Sequence, residues 1–144
     1  MSFELHPRHA AGTIKLGQSQ NCQILIKNNS YYPWFLIIPK VDEHIIDLHQ
    51  LDLVTYQHIC ELQYQLSAFV KSEFNCYKVN TACIGNVVEQ LHIHIVGRNQ
   101  GLAHDPAWPA PVWGHDAKQA YTNAEIVSIQ QTFKQAFQDI LSTI

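Results

Sequence analysis

Between residues 90 and 96 the chain reads Gln-Leu-His-Ile-His-Ile-Val, and polar and apolar side chains alternate through Ile95. Side chains along a strand point to opposite faces with a period of two. The run therefore predicts a strand over Leu91 to Val96 with Gln90, His92 and His94 on one face and Leu91, Ile93 and Ile95 on the other. The apolar face is suited to a core. On the opposite face two imidazoles stand roughly 6–7 Å apart along the chain. Val or Ile would pack better at both places, so this face asks for an explanation beyond packing.

The rest of the chain supplies the elements that would surround such a strand. Cys22 to Lys27 reads as a strand, Asn28-Asn29-Ser30 as a turn, and Trp34 to Ile38 as a second apolar strand closed by Pro39. Together they predict an antiparallel pair. Residues 3 to 17 carry His6-Pro7, which argues against one long element, and a hairpin or a helical turn both fit. Val41 to Leu48 leads into a helix over Leu51 to Phe74, where Leu53, Tyr56, Ile59, Cys60, Leu62, Tyr64, Leu66, Phe69 and Val70 recur at roughly helical spacing. Asp52 is its cap or first-turn acid, and Asn75 stops it. Tyr77 to Ala82 is a further strand, broken at Gly85-Asn86. Gly97 to Gly101 is a turn. Residues 101 to 116 hold Pro106, Pro109 and Pro111 with Trp108 and Trp113. That composition predicts an ordered loop packed on the sheet. Ala120 to Leu141 is helical, with a stripe of Ala120, Ala124, Val127, Phe133, Phe137 and Leu141. The expected class is α+β, an antiparallel sheet of about five strands with two main helices against it.

At 144 residues the chain has the length of one domain, 1–144. Its net charge of -3 and the lack of any Lys or Arg cluster speak against a nucleic-acid partner. A small phosphorylated ligand is compatible with the same charge, because backbone amides and a few donors can hold it. No apolar run approaches a membrane span. Cys22, Cys60, Cys76 and Cys83 have no C-x-x-C spacing, and Met1-Ser2-Phe3-Glu4 has neither a basic start nor an apolar stretch. Free thiols and a cytoplasmic location are the expectation.

Two histidines at i and i+2 allow three roles. A neutral imidazole is a good nucleophile near pH 7, provided its other ring nitrogen is held by an acceptor. A neighbouring imidazole can hydrogen-bond a phosphoryl oxygen and stabilise developing charge. Alternatively the pair is half of a metal site, with His44, His49, His104, His115 or acids completing it. The third role is a plain polar patch. His-x-His by itself does not decide among them.

The flanking residues do carry a resemblance. Asn80 to Arg98 reads Asn-Thr-Ala-Cys-Ile-Gly-Asn-Val-Val-Glu-Gln-Leu-His-Ile-His-Ile-Val-Gly-Arg. It resembles the signature of the histidine triad (HIT) family, and most closely a bacterial branch with Gln-Leu-His-x-His. In that branch a segment like Asp105-Pro106-Ala107-Trp108-Pro109-Ala110-Pro111-Val112-Trp113-Gly114 follows. Tyr32-Pro33-Trp34 leading into Leu36-Ile37-Ile38-Pro39 is similar to the family's first sheet region. The resemblance spans nearly the whole chain.

It implies a HIT-like fold and a hydrolase or transferase acting at the α-phosphorus of a nucleotide conjugate. It implies His92 as the nucleophile that forms a nucleotidyl-histidine intermediate, and His94 as the phosphate contact. Asn80 and Asn86 would lie near the phosphate or leaving group, and Asn29 near the ribose. Ile24, Leu25 and Phe35 would be candidates for the base pocket. The family resemblance implies a homodimer, with the last helix and the Trp-rich loop as candidate contacts. No metal or cofactor is implied.

Two positions depart from the full pattern. Gln90 stands where the first triad histidine would be, and its amide does not titrate. Pro39-Lys40 is followed by Val41-Asp42, with His44 two residues later than the family's histidine. These departures motivate an alternative, a nucleotide-binding protein with weak or no turnover. Arg98 is expected in a surface or structural ion pair, Trp108 and Trp113 in dimer or core packing, and Lys27 and Lys40 as solvated lysines.

Overall fold

The computed structural model describes residues 2–142. Its elements are α1 (Pro7–Ala10), β1 (Thr13–Ser19), β2 (Cys22–Lys27), β3 (Trp34–Pro39), a 3-10 turn (Leu48–Gln50), α2 (Leu53–Glu73), β4 (Lys78–Ala82), β5 (Ile93–Arg98) and α3 (Asn123–Ala136). The strands form one antiparallel sheet in the order β1-β2-β3-β5-β4. The α+β class, the five strands and the two long helices agree with the sequence reading. The segment before residue 17 contains both alternatives, a helical turn and then the first strand of a hairpin. No helix among the described residues is long and apolar enough to cross a membrane.

Local chemistry sets the element ends. Asp52 accepts the Thr55 amide at 2.8 Å and caps α2. At the other end Asn75 takes φ 52, and the Cys76 amide donates to the Lys71 carbonyl at 3.1 Å. A left-handed residue followed by this backward bond closes a helix, and Asn tolerates that conformation. Helix α3 starts later than Ala120 because Thr122 and Glu125 form a reciprocal capping box. The side of α2 facing the sheet is Thr55, His58, Ile59, Leu62, Leu66 and Val70. Leu53 and Tyr64 are exposed, so the sequence-derived stripe was too wide.

One boundary moves in a way that matters. β5 begins at Ile93 and runs through Gly97 and Arg98, so those two residues are strand rather than turn. Gln90, Leu91 and His92 lie ahead of the ladder. The backbone carbonyl of Gln90 is free of strand pairing.

The sheet is covered on both faces. One face packs Ile24, Ile26, Phe35, Ile37, Ile93 and Ile95 against α2 and α3 through Leu62, Leu66, Phe133 and Phe137. Gly97 permits the closest approach there, since a Cβ would lie 2.5 Å from Cys76 Sγ and 2.8 Å from Pro33 Cγ. The other face packs Leu25, Tyr32, Trp34, Leu36, Ile38 and Val96 against Ala107, Val112 and Trp113 of the proline-rich loop and Phe3 and Leu5 of the N-terminal segment. The loop is ordered, as its composition predicts. It is fastened by Arg98, whose Nε and Nη2 donate to the two carboxylate oxygens of Asp105 at 2.7 and 3.0 Å. Nη2 also donates to the Ala110 carbonyl at 2.8 Å. Both side chains are almost fully buried, so this is an interior ion pair and not a surface one.

Candidate functional site

His92 and His94 emerge on the loop-covered face, beside one another at the start of β5. Register explains the neighbours. His94 pairs with Leu36 of β3 and Ala82 of β4, and Trp34 pairs with Val96. Trp34 therefore stands two positions along from Leu36 on the same face, within reach of His94. Its indole Nε1–H donates to His94 Nδ1 at 2.9 Å. A ring nitrogen that accepts carries no proton, so His94 is the tautomer with a proton on Nε2. Trp113 from the loop packs edge-on against His94, with ring centroids 5.3 Å apart.

His92 has the opposite arrangement. Its Nδ1 lies 2.7 Å from the main-chain carbonyl of Gln90. A carbonyl only accepts, so Nδ1 is protonated and Nε2 keeps its lone pair. The two adjacent rings, 4.7 Å apart between centroids, thus offer a lone pair from one Nε2 and an N–H from the other. Burial pushes the pKa of both rings down, His94 to about 3, and the Lys27 charge adds to this. Both are neutral at pH 7.

The sequence reading missed two residues here. His9, on the short α1 turn, is buried, and its ring lies 4.2 Å from that of His92 at an interplanar angle of 64°. Its Nε2 lies 3.4 Å from the same Gln90 carbonyl. Burial, with His92 next in weight, lowers its pKa to about 4. Local spacing carried no signal for it, because the contact spans more than eighty residues. Lys27 is the second. It is not an ordinary solvated lysine, for its Nζ sits 4.2 Å from the Trp34 ring centroid and burial lowers its pKa. Its place on β2, opposite Trp34 in continuation of the β2–β3 register, is a signal that could have found it.

The remaining expected residues are dispersed. The Gln90 carboxamide points away from the histidines: Oε1 accepts the His6 amide at 2.8 Å and Nε2 donates to the Glu4 carbonyl at 2.9 Å. Asn29 is buried, with Oδ1 accepting from the Tyr31 and Gln119 amides and Nδ2 donating to the Ala117 carbonyl. Both its acceptor lone pairs are thus used. Asn80 Oδ1 accepts from Arg98 Nη1 at 3.0 Å, on the loop fastening. Asn86 is exposed on the turn before β5. Ile24 and Phe35 belong to the helix-side core, so the sheet separates them from the histidines and they cannot line a base pocket there. Leu25 is on the histidine face but is buried under it.

His44 is exposed on the rim of a groove of about 1130 Å³ that is also lined by residues 2–7 and reaches Gln90 and Leu91. Among the described residues no group of three or more His, Cys, Asp or Glu is arranged to hold a metal ion.

The fold is α+β, a five-stranded antiparallel sheet with complementary imidazole tautomers at the head of an inner strand. The HIT domain matches residues 9–101, and the chain belongs to the HIT family. It is similar to a histidine triad protein from Marinobacter aquaeolei VT8, with 36% identity, TM-score 0.87, and 96% of this chain and 98% of that one covered. A histidine triad protein from Bradyrhizobium japonicum is 30% identical, with TM-score 0.87 and coverage of 94% and 98%. One from Sinorhizobium meliloti 1021 is 26% identical, with TM-score 0.86 and coverage of 94% and 97%. No curated protein sequence matches the chain. Family membership supports nucleotide binding and hydrolase or transferase chemistry in general terms.

Proposed function

We propose that this protein is a nucleotide hydrolase or nucleotidyl transferase that attacks the α-phosphorus of a nucleotide conjugate through His92. The observation that carries the reading is the 2.7 Å bond from His92 Nδ1 to the Gln90 carbonyl, which leaves Nε2 as a neutral nucleophile. Nε2 forms an N–P bond as the bond from phosphorus to the leaving group breaks, and the leaving group departs with its electron pair and takes up a proton. Water then attacks the same phosphorus, the N–P bond breaks, and a nucleoside monophosphate is released. His94 Nε2–H donates to a phosphoryl oxygen and offsets charge gathered in each transition state. Dinucleoside polyphosphates and nucleoside phosphoramidates are the substrate classes. The site asks for no metal or cofactor.

The test is intact-mass measurement after brief incubation with a panel of these compounds. A gain of one nucleotidyl group, absent in His92→Ala, is the expected result. No adduct and no turnover with any of them would overturn the reading.

The second reading, nucleotide binding with little turnover, is favoured by one observation: the Gln90 carboxamide is engaged with the N-terminal segment. Calorimetry showing tight AMP or GMP binding without a labelled protein would select it. The same proposal takes residues 1–144 as one domain in a cytoplasmic homodimer paired through α3 and the Trp-rich loop. Four free cysteines are consistent with that compartment. Sedimentation as a monomer at micromolar concentration would oppose the dimer.

A further inference from the structure

The family's first triad position is filled here by Gln90, whose side chain has turned outward, yet the site still contains three imidazoles. His92 is held between two rings, His94 at 4.7 Å on one side and His9 at 4.2 Å on the other. His9 also reaches the carbonyl that fixes the His92 tautomer. The outward turn of Gln90 has its own consequence. By bonding both the His6 amide and the Glu4 carbonyl, the carboxamide ties down the segment that leads into α1. Pro7 at the first helical position and the His6 Nδ1 cap on the Arg8 amide shape the turn that aims His9 inward. The Thr13 hydroxyl then donates to the His9 carbonyl at 2.6 Å and closes it.

We propose that His9 is the third imidazole of the site, a positioning residue for His92, and that Gln90 acts as the latch that delivers it. The inference rests on His92 being the nucleophile. His9 restrains the ring plane of His92 and keeps the Gln90 carbonyl directed at Nδ1, so that Nε2 meets phosphorus in one orientation. A neutral ring suits this place, because a second cation would oppose the positive charge that His92 gathers when its Nε2 bonds to phosphorus.

The test pairs a kinetic with a spectroscopic measurement on the full chain. In His9→Ala, kcat for nucleotidyl-protein formation should fall about 10- to 100-fold, the range for losing a group that orients a reactive ligand, with KM within about threefold by the same argument. His9→Phe, which keeps the ring and loses the N–H, should fall between this variant and the parent. Gln90→Ala should act in the same direction as His9→Ala, although it leaves the position-90 carbonyl in place.

Long-range nitrogen–proton spectra of the His92 ring supply a readout independent of turnover. The parent protein should show only the Nδ1–H form, and His9→Ala a mixture of forms. If the parent forms no nucleotidyl adduct, the function proposed above fails, while the ring spectra still decide the role of His9. An unchanged kcat together with an unchanged His92 tautomer in His9→Phe and Gln90→Ala would overturn the inference, even if His9→Ala failed to fold.

Discussion

The two faces of the sheet are both buried but are held by different physics. The helix face is a continuous apolar layer, from Ile24 and Phe35 across to Leu62, Leu66 and Phe133. Its stabilisation is non-directional, at about 1.5–3 kcal/mol for each large side chain removed from water. The loop face has a smaller apolar cluster interleaved with His92, His94, Arg98 and Asp105. Each of those polar groups needs partners at defined angles, because an unpaired one in the interior is costly. The first face tolerates repacking and carries the fold. The second is intolerant and holds the candidate site, so its polar side chains are specified by hydrogen bonds rather than by volume.

The strongest way to break this division is His92→Ala. The expected outcome is loss of nucleotidyl-protein formation by a thousandfold or more, roughly the scale for removing a covalent nucleophile. The melting temperature should shift less than for a truncation on the helix face. Equal damage to both would mean that the faces are not separable.

Next is Asp105→Ala, which leaves the buried Arg98 guanidinium without its carboxylate. Breaking such a pair costs about 3–5 kcal/mol, and chemical denaturation should show it. Protection of the loop amides from hydrogen exchange should fall more than that of α2. On the helix face Leu66→Ala should cost about 2–5 kcal/mol with kcat unchanged within about twofold, which assumes that the two sites act independently.

A pH series gives a smaller effect specific to the loop face. His94 is held at about 3 and His9 at about 4 in the fold, against about 6.5 in an unfolded chain. Between those values the unfolded state binds more protons, so stability falls as pH drops below 6.5 toward 4. Melting curves from pH 7 to 4 should show this, and His94→Asn should flatten it. The acid limb of kcat/KM should also lie below 6.5, because burial lowers the pKa of free His92. Least of all, Leu53→Ala on the exposed side of α2 should change stability by no more than about 0.5 kcal/mol.

These regions also differed in how far the sequence disclosed them. β2, β3 and α2 were legible because periodicity reports which side of an element is dry, and capping residues mark where it ends. Asp52 and Asn75 both did so. β5 was legible as a strand but displaced, since side chains alternate in any extended backbone and the pattern cannot tell paired residues from unpaired ones. Ile24 and Phe35, base-pocket candidates only through the family resemblance, lie on the helix side, and their strands, buried on both faces, lack the polar alternation that would have checked this. His92 and His94 were readable from spacing and context. His9 was not, nor was Asp105 as the buried partner of Arg98, because these contacts are fixed by the tertiary fold. Gln90 was readable as a departure, but not as a residue whose side chain and carbonyl serve different neighbours.

That last residue bears on how the site responds to mutation. The atom that sets the His92 tautomer belongs to the main chain, and every amino acid at position 90 would supply it. No single substitution deletes that acceptor; it can only be moved. Position 90 is therefore chemically redundant in one direction and specific in the other. Drift there would loosen the N-terminal segment and let the carbonyl shift away from His92 Nδ1 without ever removing it.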